Sequence, residues 1–310
     1  MPGAPLLVTG ANGHLGRDLI RAVAGERPVR AVVRSERAAR SLDDLVEASP
    51  GGLEVRRVDY ADEAGLGETG KGCAAWVHLV GILKEGRHAR YEEAHEGTCE
   101  VLARAAEKAG AARLVYMSIL GAELGSPNRC LASKARAEEI LTRGTTPATT
   151  LRVPMVLGPD EIAATALRSQ ASAPITFMTR GGATLEQPID ARDLVDAIRL
   201  AARDESGWRG GLDLAGPESL RHRALVERIA SLLGTRPRVL PVPLFALRGL
   251  AALFEAVSET PPITRPMLGV LEHDDAIDPG PAARQLGLEL TPLDETLRFV
   301  FGSASHGEVG

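Results

Sequence analysis

Cysteine, aromatic residues and surplus positive charge are all scarce in this sequence. Of 310 residues three are cysteine, Cys73, Cys99 and Cys130. An odd number without a CxxC pair predicts neither a disulfide framework nor a zinc site. It fits a reducing compartment, so a cytoplasmic protein is expected. Aromatic residues make up 3% of the chain, too few for base-stacking platforms. Lys and Arg number 36 against 41 Asp and Glu, a net charge of -5. Nucleic-acid proteins normally carry a basic face, so no such partner is expected. No uncharged apolar run reaches the roughly 18 residues of a membrane span. The first residues also lack the basic and apolar regions of a signal peptide.

What is present is the balance of a soluble globular chain, 44% hydrophobic and 25% charged. The length suits one large domain or one large and one small, with a core that needs no staples. Short apolar runs alternate with helical patterns. Strands are expected at Pro5–Thr9, Val29–Val33, Leu53–Val58, Ala75–Val80, Arg113–Ser118 and Ala148–Val153. Helices are expected at Leu15–Ala24, Glu36–Ala48, Ala89–Ala109 and Leu131–Arg143. This alternation predicts βαβ units, a parallel sheet covered on both faces and hence an α/β doubly wound fold. After Pro154 prolines punctuate shorter elements: a helix at Asp190–Ala202, a late strand at Leu212–Gly216, a helix at Ser219–Leu233 and an apolar helix at Leu244–Val257. The expected organisation is a Rossmann domain over residues 1–154 and a smaller, mostly helical substrate-binding portion over 155–302. Asp190–Gly216 is expected to return to the sheet, and 303–310 to form a flexible tail.

The loop Gly10-Ala11-Asn12-Gly13-His14-Leu15-Gly16 follows the first strand and opens the first helix. Gly10 suits the tight turn, Gly13 a close backbone approach to a pyrophosphate, and Gly16 the packing of helix on strand. Free N–H groups and the helix dipole then hold phosphates. A dinucleotide site is therefore expected. NAD enzymes place an acid after the second strand; here Arg34 stands there, with Arg37 close by. Arg34 suits a bidentate contact to a 2′-phosphate, so NADP(H) is favoured over NAD(H). The alternative is that both arginines are solvated surface charges. Arg17 is a further candidate for the phosphate pocket. Asp59 is expected near the adenine amine, or else serves as a turn residue.

These residues, with Gly97-Thr98, Ser118, Ser133-Lys134, Leu151-Arg152-Val153-Pro154, Gln187-Pro188-Ile189-Asp190, Asp193 and Asp213–Pro217, resemble the atypical short-chain dehydrogenase/reductases. Leu240–Pro243, the apolar helix and Pro262–Arg265 are similar to the NmrA-like and complex I accessory-subunit-like branch. The resemblance implies a Rossmann domain, a bound nicotinamide dinucleotide and a small C-terminal substrate domain. It implies cofactor contacts from Leu79, Val80, Gly81, Lys134, Pro154, Met155 and Val156. It also implies a catalytic group in which Ser118 and Lys134 match the family pattern. The Tyr four residues before the lysine is Cys130 here, and the Asn of the preceding helix is Ala94. Proton delivery is therefore expected to be non-standard, with water, Cys130 or a substrate-derived group as the source. Tyr116 is expected in the core, and Tyr91, His88 and His95 at the surface, with proton supply near the substrate by any one of the three as the alternative.

The expected substrate rim, Ile119, Leu120, Met155, Leu157, Phe177 and Met178, is apolar, as is the helix carrying Phe245 and Phe254. This points to a small apolar carbonyl, enone or quinone, unless these residues are simply core. The alternative function is a non-catalytic NADP(H)-binding protein: a redox sensor, assembly factor or structural subunit. A monomer fits the sequence. So does a homodimer through Ala89–Ala109 and Leu131–Arg143, the helices that pair in dimers of the family.

Overall fold

Short runs rich in Leu, Val and Ala form strands that are mostly buried, with Glu54, Arg56 and Arg57 leaving the run Leu53–Arg57 partly exposed. A computed structural model describes residues 3–87, 89–203, 208–259 and 261–302. In it these runs become β1 (Leu6–Thr9), β2 (Val29–Val33), β3 (Leu53–Arg57), β4 (Ala75–His78), β5 (Arg113–Ile119) and β6 (Ala148–Val153). The sheet order is Gly210–Asp213, β6, β5, β4, β1, β2, β3. The pairings of β1 with β2 and β4, of β2 with β3, and of β4 with β5 are parallel. This is the doubly wound Rossmann order, whose direction reverses between β1 and β4. His78, the last residue of β4, pairs in register with Thr9, the last of β1.

The chain divides into two compact units. The first comprises Met1–Arg152 and Val195–Leu212, the second Val153–Leu194 and Asp213–Gly310. In the first, a core of Leu7, Val32, Trp76, Leu102, Leu114 and Tyr116 lies against the sheet. In the second, the helices Ile162–Ser172, His222–Leu232 and Leu293–Phe301 pack around Leu167, Met178, Leu225, Ile229 and Leu297. There Gln187 donates to the Gly216 and Ile277 carbonyls (2.8 and 3.0 Å) and accepts from the Ile277 N–H (2.8 Å). Asp190 and Asp193 accept from Thr296 and Thr291. These motif residues are clasps of the second unit.

Several elements depart from the sequence pattern. The helix expected over Glu36–Ala48 is two, Glu36–Arg40 and Asp43–Ala48. Ser41 turns its hydroxyl back onto the Ala38 carbonyl (2.7 Å), and the acidic pair Asp43-Asp44 opens a fresh N-terminus. The helix expected from Ala89 begins as a π-helix, Glu92–Gly97, before the α-helix Thr98–Ala109. Tyr91 and His95, expected at the surface, lie in the interior, His95 within this wider turn and Tyr91 just before it. The late strand is Gly210–Asp213 rather than Leu212–Gly216. The apolar helix Leu244–Val257 forms as expected but buries only Ala251. His88 and the tail 303–310 lie outside the described residues.

Two glycines of the helix Glu63–Gly70 make opposite predictions. A Cβ on Gly70 would overlap the buried Trp76 ring, whereas one on Gly67 would meet ordinary contact distance, 3.8 Å from the Ala105 carbonyl. Gly70→Ala is expected to destabilise the fold by about 1–3 kcal/mol. Gly67→Ala should stabilise it by about 0.5–1 kcal/mol. Urea denaturation of the two variants beside the wild type measures both.

Candidate cofactor and active site

The glycine loop is built by exclusion of side chains. Gly10 has φ +72°, and a Cβ there would come within 3.1–3.2 Å of the Leu79–Val80 backbone. A Cβ on Gly16 would press to 2.7 Å from the Ala11 carbonyl. Asn12 and His14 are exposed, Leu15 is half-buried, and Gly13 caps the helix His14–Val23 with no side chain on its first amides. A helix N-terminus with uncapped N–H groups beside the β4 end fits a dinucleotide pyrophosphate. Leu79 and Val80 are half-buried next to Gly10.

The end of β2 is tied to this loop by Tyr60, which the sequence reading overlooked. Its hydroxyl accepts from the Gly10 N–H (2.9 Å) and donates to the Val32 carbonyl (3.1 Å). The Arg34 guanidinium lies over the Tyr60 ring, 5.4 Å from its centroid. Arg34 is exposed and has no carboxylate partner among the described residues. Arg17, by contrast, is engaged by Asp44 (2.6 Å) and the Ser41 carbonyl; it locks the broken helix and is not held ready for a phosphate. Asp59 accepts from the Ala61 N–H (3.0 Å) in a local turn, leaving its second carboxylate oxygen uncommitted to that bond.

Lys134 is half-buried, its Nζ lying beneath the chain end that leaves β4. Its Nζ donates to the Tyr116 hydroxyl (3.0 Å) and the Met117 carbonyl (2.8 Å). A Cβ on Gly81 would lie 2.9 Å from that Nζ, so a side chain here would push the ammonium aside. Burial holds Lys134 below the usual amine value. Nearby, Thr98 donates to the Ala94 carbonyl (2.8 Å). Its oxygen therefore accepts from His78 Nε2 (3.2 Å), and His78 Nδ1 accepts from Thr9 (2.6 Å). Burial, aided by the Lys134 charge, pushes His78 and His95 down to about 3, so both imidazoles stay neutral.

Cys130 occupies the position of the family's tyrosine but does not offer a reactive thiolate. It is 1% exposed, its Sγ faces the Ile82 carbonyl at 3.8 Å, and burial pushes it up to about 11. His95 Nε2 stands 3.1 Å from both the N–H and the carbonyl of Ile82. Tyr91 donates to the Leu83 carbonyl (2.8 Å). Thiol, imidazole and phenol thus fasten one loop, Gly81–Leu83.

Ser118 donates to Glu138, a residue the sequence reading did not single out. Arg152 pairs with the same carboxylate through two nitrogens (2.6 and 2.9 Å). Glu138 lies four residues beyond Lys134, so the i, i+4 spacing places both on one helix face. Ile119 and Leu120 follow Ser118 at the end of β5; Leu120 is buried and Ile119 half-buried. In the second unit, Pro154, Met155 and Val156 are half-buried. Val156 pairs with Ile189, and the Met155 carbonyl accepts from the Ile189 N–H (2.9 Å). Phe177 is 66% exposed on the strand Ile175–Thr179, whereas its neighbour Met178 is core. Among the described residues no cluster of His, Cys, Asp and Glu could hold a metal ion, and no helix is long and apolar enough to cross a membrane.

Comparison with known proteins agrees with this geometry. A family model described as NAD(P)H-binding matches residues 10–181. The mitochondrial NADH dehydrogenase (ubiquinone) 1 alpha subcomplex subunit 9 of Arabidopsis thaliana is 27% identical over 305 residues, covering 94% of this chain and 74% of its own length. The ceramide reductase of Caulobacter vibrioides is 26% identical over 255 residues, covering 81% and 77%. Among solved structures, MoeE5 in complex with UDP-glucose and NAD superposes with a TM-score of 0.73 at 20% identity, over 96% of this chain and 97% of that one; at this identity the likeness shows the fold. The chain belongs to the NAD(P)H-binding family and, within it, to the atypical short-chain dehydrogenase/reductases.

Proposed function

We propose that this chain is an NADP(H)-dependent reductase of a small apolar compound. The observation that carries the cofactor preference is Arg34: exposed, free of any carboxylate among the described residues, and laid on the Tyr60 ring where NAD enzymes carry an acid. A guanidinium stacked on a ring keeps its nitrogens available for a bidentate phosphate contact. The bound nicotinamide supplies the hydride chemistry. Lys134 holds the ribose, and Gly10, Gly13 and Gly16 admit the pyrophosphate. Leu79, Val80 and Gly81, then Pro154, Met155 and Val156, are the proposed contacts along the cofactor.

Proton supply narrows the substrate. The thiol of Cys130 is spent on the Ile82 carbonyl, and the Ser118 proton on Glu138. Ser118 therefore meets a substrate as an acceptor unless the Glu138 bond opens. Without a dedicated acid, hydride transfer to a plain ketone leaves a strongly basic alkoxide. An enone or quinone instead leaves a delocalised, weakly basic anion that water can protonate. The proposed substrate is therefore a conjugated apolar acceptor. Ile119, Leu120, Phe177 and Met178 are its proposed contacts. The exposed Phe177 and the likeness to a ceramide reductase support the apolar class.

Burial of Cys130 also favours a second reading, dinucleotide binding without turnover, which the likeness to a NADH dehydrogenase subunit supports. NADPH oxidation under single-turnover conditions with apolar enones and quinones separates the two; no oxidation with any of them favours binding alone.

Fluorescence titration is expected to show tighter binding of NADPH than of NADH. Arg34→Ala should weaken NADPH by roughly 10–100-fold and leave NADH unchanged. Equal binding of the two by the wild type would overturn the NADP(H) assignment. Cys130→Ala should retain NADPH oxidation within about threefold; a fall of roughly 10²–10⁴-fold would make the thiol the acid after all.

A further inference from the structure

A phenol still meets Lys134, although the tyrosine slot of the helix holds a thiol. It arrives from β5. Tyr116 is fully buried, stacks on His78 with centroids 5.7 Å apart, and places its hydroxyl 3.0 Å from Lys134 Nζ. An ammonium has three N–H donors. Tyr116 takes one and the Met117 carbonyl, at 2.8 Å, takes a second. One donor remains, and the position beside Nζ that carries no side chain is Gly81.

We propose that Tyr116 is a positioning residue for the dinucleotide: with Met117 it fixes the rotation of the Lys134 ammonium, so that the third N–H faces a ribose hydroxyl on the Gly81 side. This inference rests on the dinucleotide reading above and extends it to a residue that touches neither cofactor nor substrate. The Met117 contribution is backbone and survives substitution, so the Tyr116 oxygen is the adjustable part. The groups facing the ammonium are Tyr116 on β5, His78 on β4, His95 on the π-helix, Cys99 on the helix that follows it, and Cys130 and Glu138 on its own helix. Both imidazoles are neutral and the thiols are protonated near neutral pH. Burial favours the uncharged amine, whereas an oxygen accepting from the ammonium favours the charged form. Loss of the hydroxyl therefore makes Lys134 shed its proton at lower pH.

The test is NADPH titration of the full chain across the neutral to alkaline range, for the wild type, Tyr116→Phe, Lys134→Met and the double variant. Wild-type affinity is expected to fall on the alkaline side. Tyr116→Phe should weaken NADPH roughly three- to tenfold at neutral pH and move that fall down by about one pH unit. In the Lys134→Met chain the alkaline fall should vanish, and adding Tyr116→Phe should change nothing further. An equal effect of Tyr116→Phe with and without the amine would show a structural role and overturn the inference. So would an unmoved alkaline midpoint. Whatever the folding of Tyr116→Phe, a Lys134→Met chain that binds NADPH as tightly as the wild type overturns it too. A wild type that binds no dinucleotide would bring down the cofactor reading itself; normal wild-type binding unaffected by Tyr116→Phe would bring down this inference alone.

Discussion

An ammonium taken out of water must replace its hydration with fixed acceptors, and no carboxylate pairs with Lys134 among the described residues. Much of the surrounding unit follows from that demand. β5 turns a phenol and a carbonyl toward Nζ, the chain leaving β4 carries glycine at the closest approach, and two neighbouring imidazoles remain neutral. The neutral state of His78 in turn fixes its tautomer through Thr98 and Thr9. The last residue of β1 is thereby tied to the helix that follows the π-turn. The groups around this ammonium thus come from β1, β4, β5 and two helical segments.

The glycine loop depends on the same strand ends. Gly10 can approach Leu79–Val80 because β1 and β4 finish level, Thr9 opposite His78. Tyr60 then couples this loop to β2, accepting from Gly10 and donating to Val32 while its ring carries Arg34. The residue proposed to read the 2′-phosphate and the loop proposed to hold the pyrophosphate therefore share one side chain. A change at Tyr60 would therefore disturb both, whereas a change at Arg34 leaves the loop's bond to Tyr60 in place.

The strand–helix alternation, the glycine loop and the spacing of Cys130 from Lys134 were legible because each is local: a period, a turn requirement, one helical turn. Tyr60, Tyr116 and Glu138 were not, because their roles depend on which strands become neighbours. Only the i, i+4 step from Lys134 to Glu138, with Arg152 on the next strand, gave any signal in advance. The inward turn of Tyr91 and His95 was hidden for a different reason. A π-turn shifts the register of the side chains within and after it without any composition that marks it, so an α-helical period misplaces His95; Tyr91 stands just before that turn, and its partner, the Leu83 carbonyl, is not visible in a helical period. The break at Ser41 was hidden because Ala-rich flanks propagate a helical pattern through it, whereas the serine hydroxyl competes for the backbone.

Replacing a helix tyrosine by Cys130 alters more than one proton. The shorter thiol turns to the Ile82 carbonyl. The loop Gly81–Leu83 gains a fastening and the site loses its acid. Retaining Lys134 and Gly81 after that loss fits a cofactor-holding role, since neither is needed to protonate a product. Ser118 points the same way, for its proton is committed to a carboxylate that Arg152 already pairs. On the proposed reading, the chain has the groups that grip a dinucleotide and lacks the one that would discharge an alkoxide. This is the basis on which a conjugated acceptor, whose reduced anion tolerates water as its proton source, is proposed as the substrate.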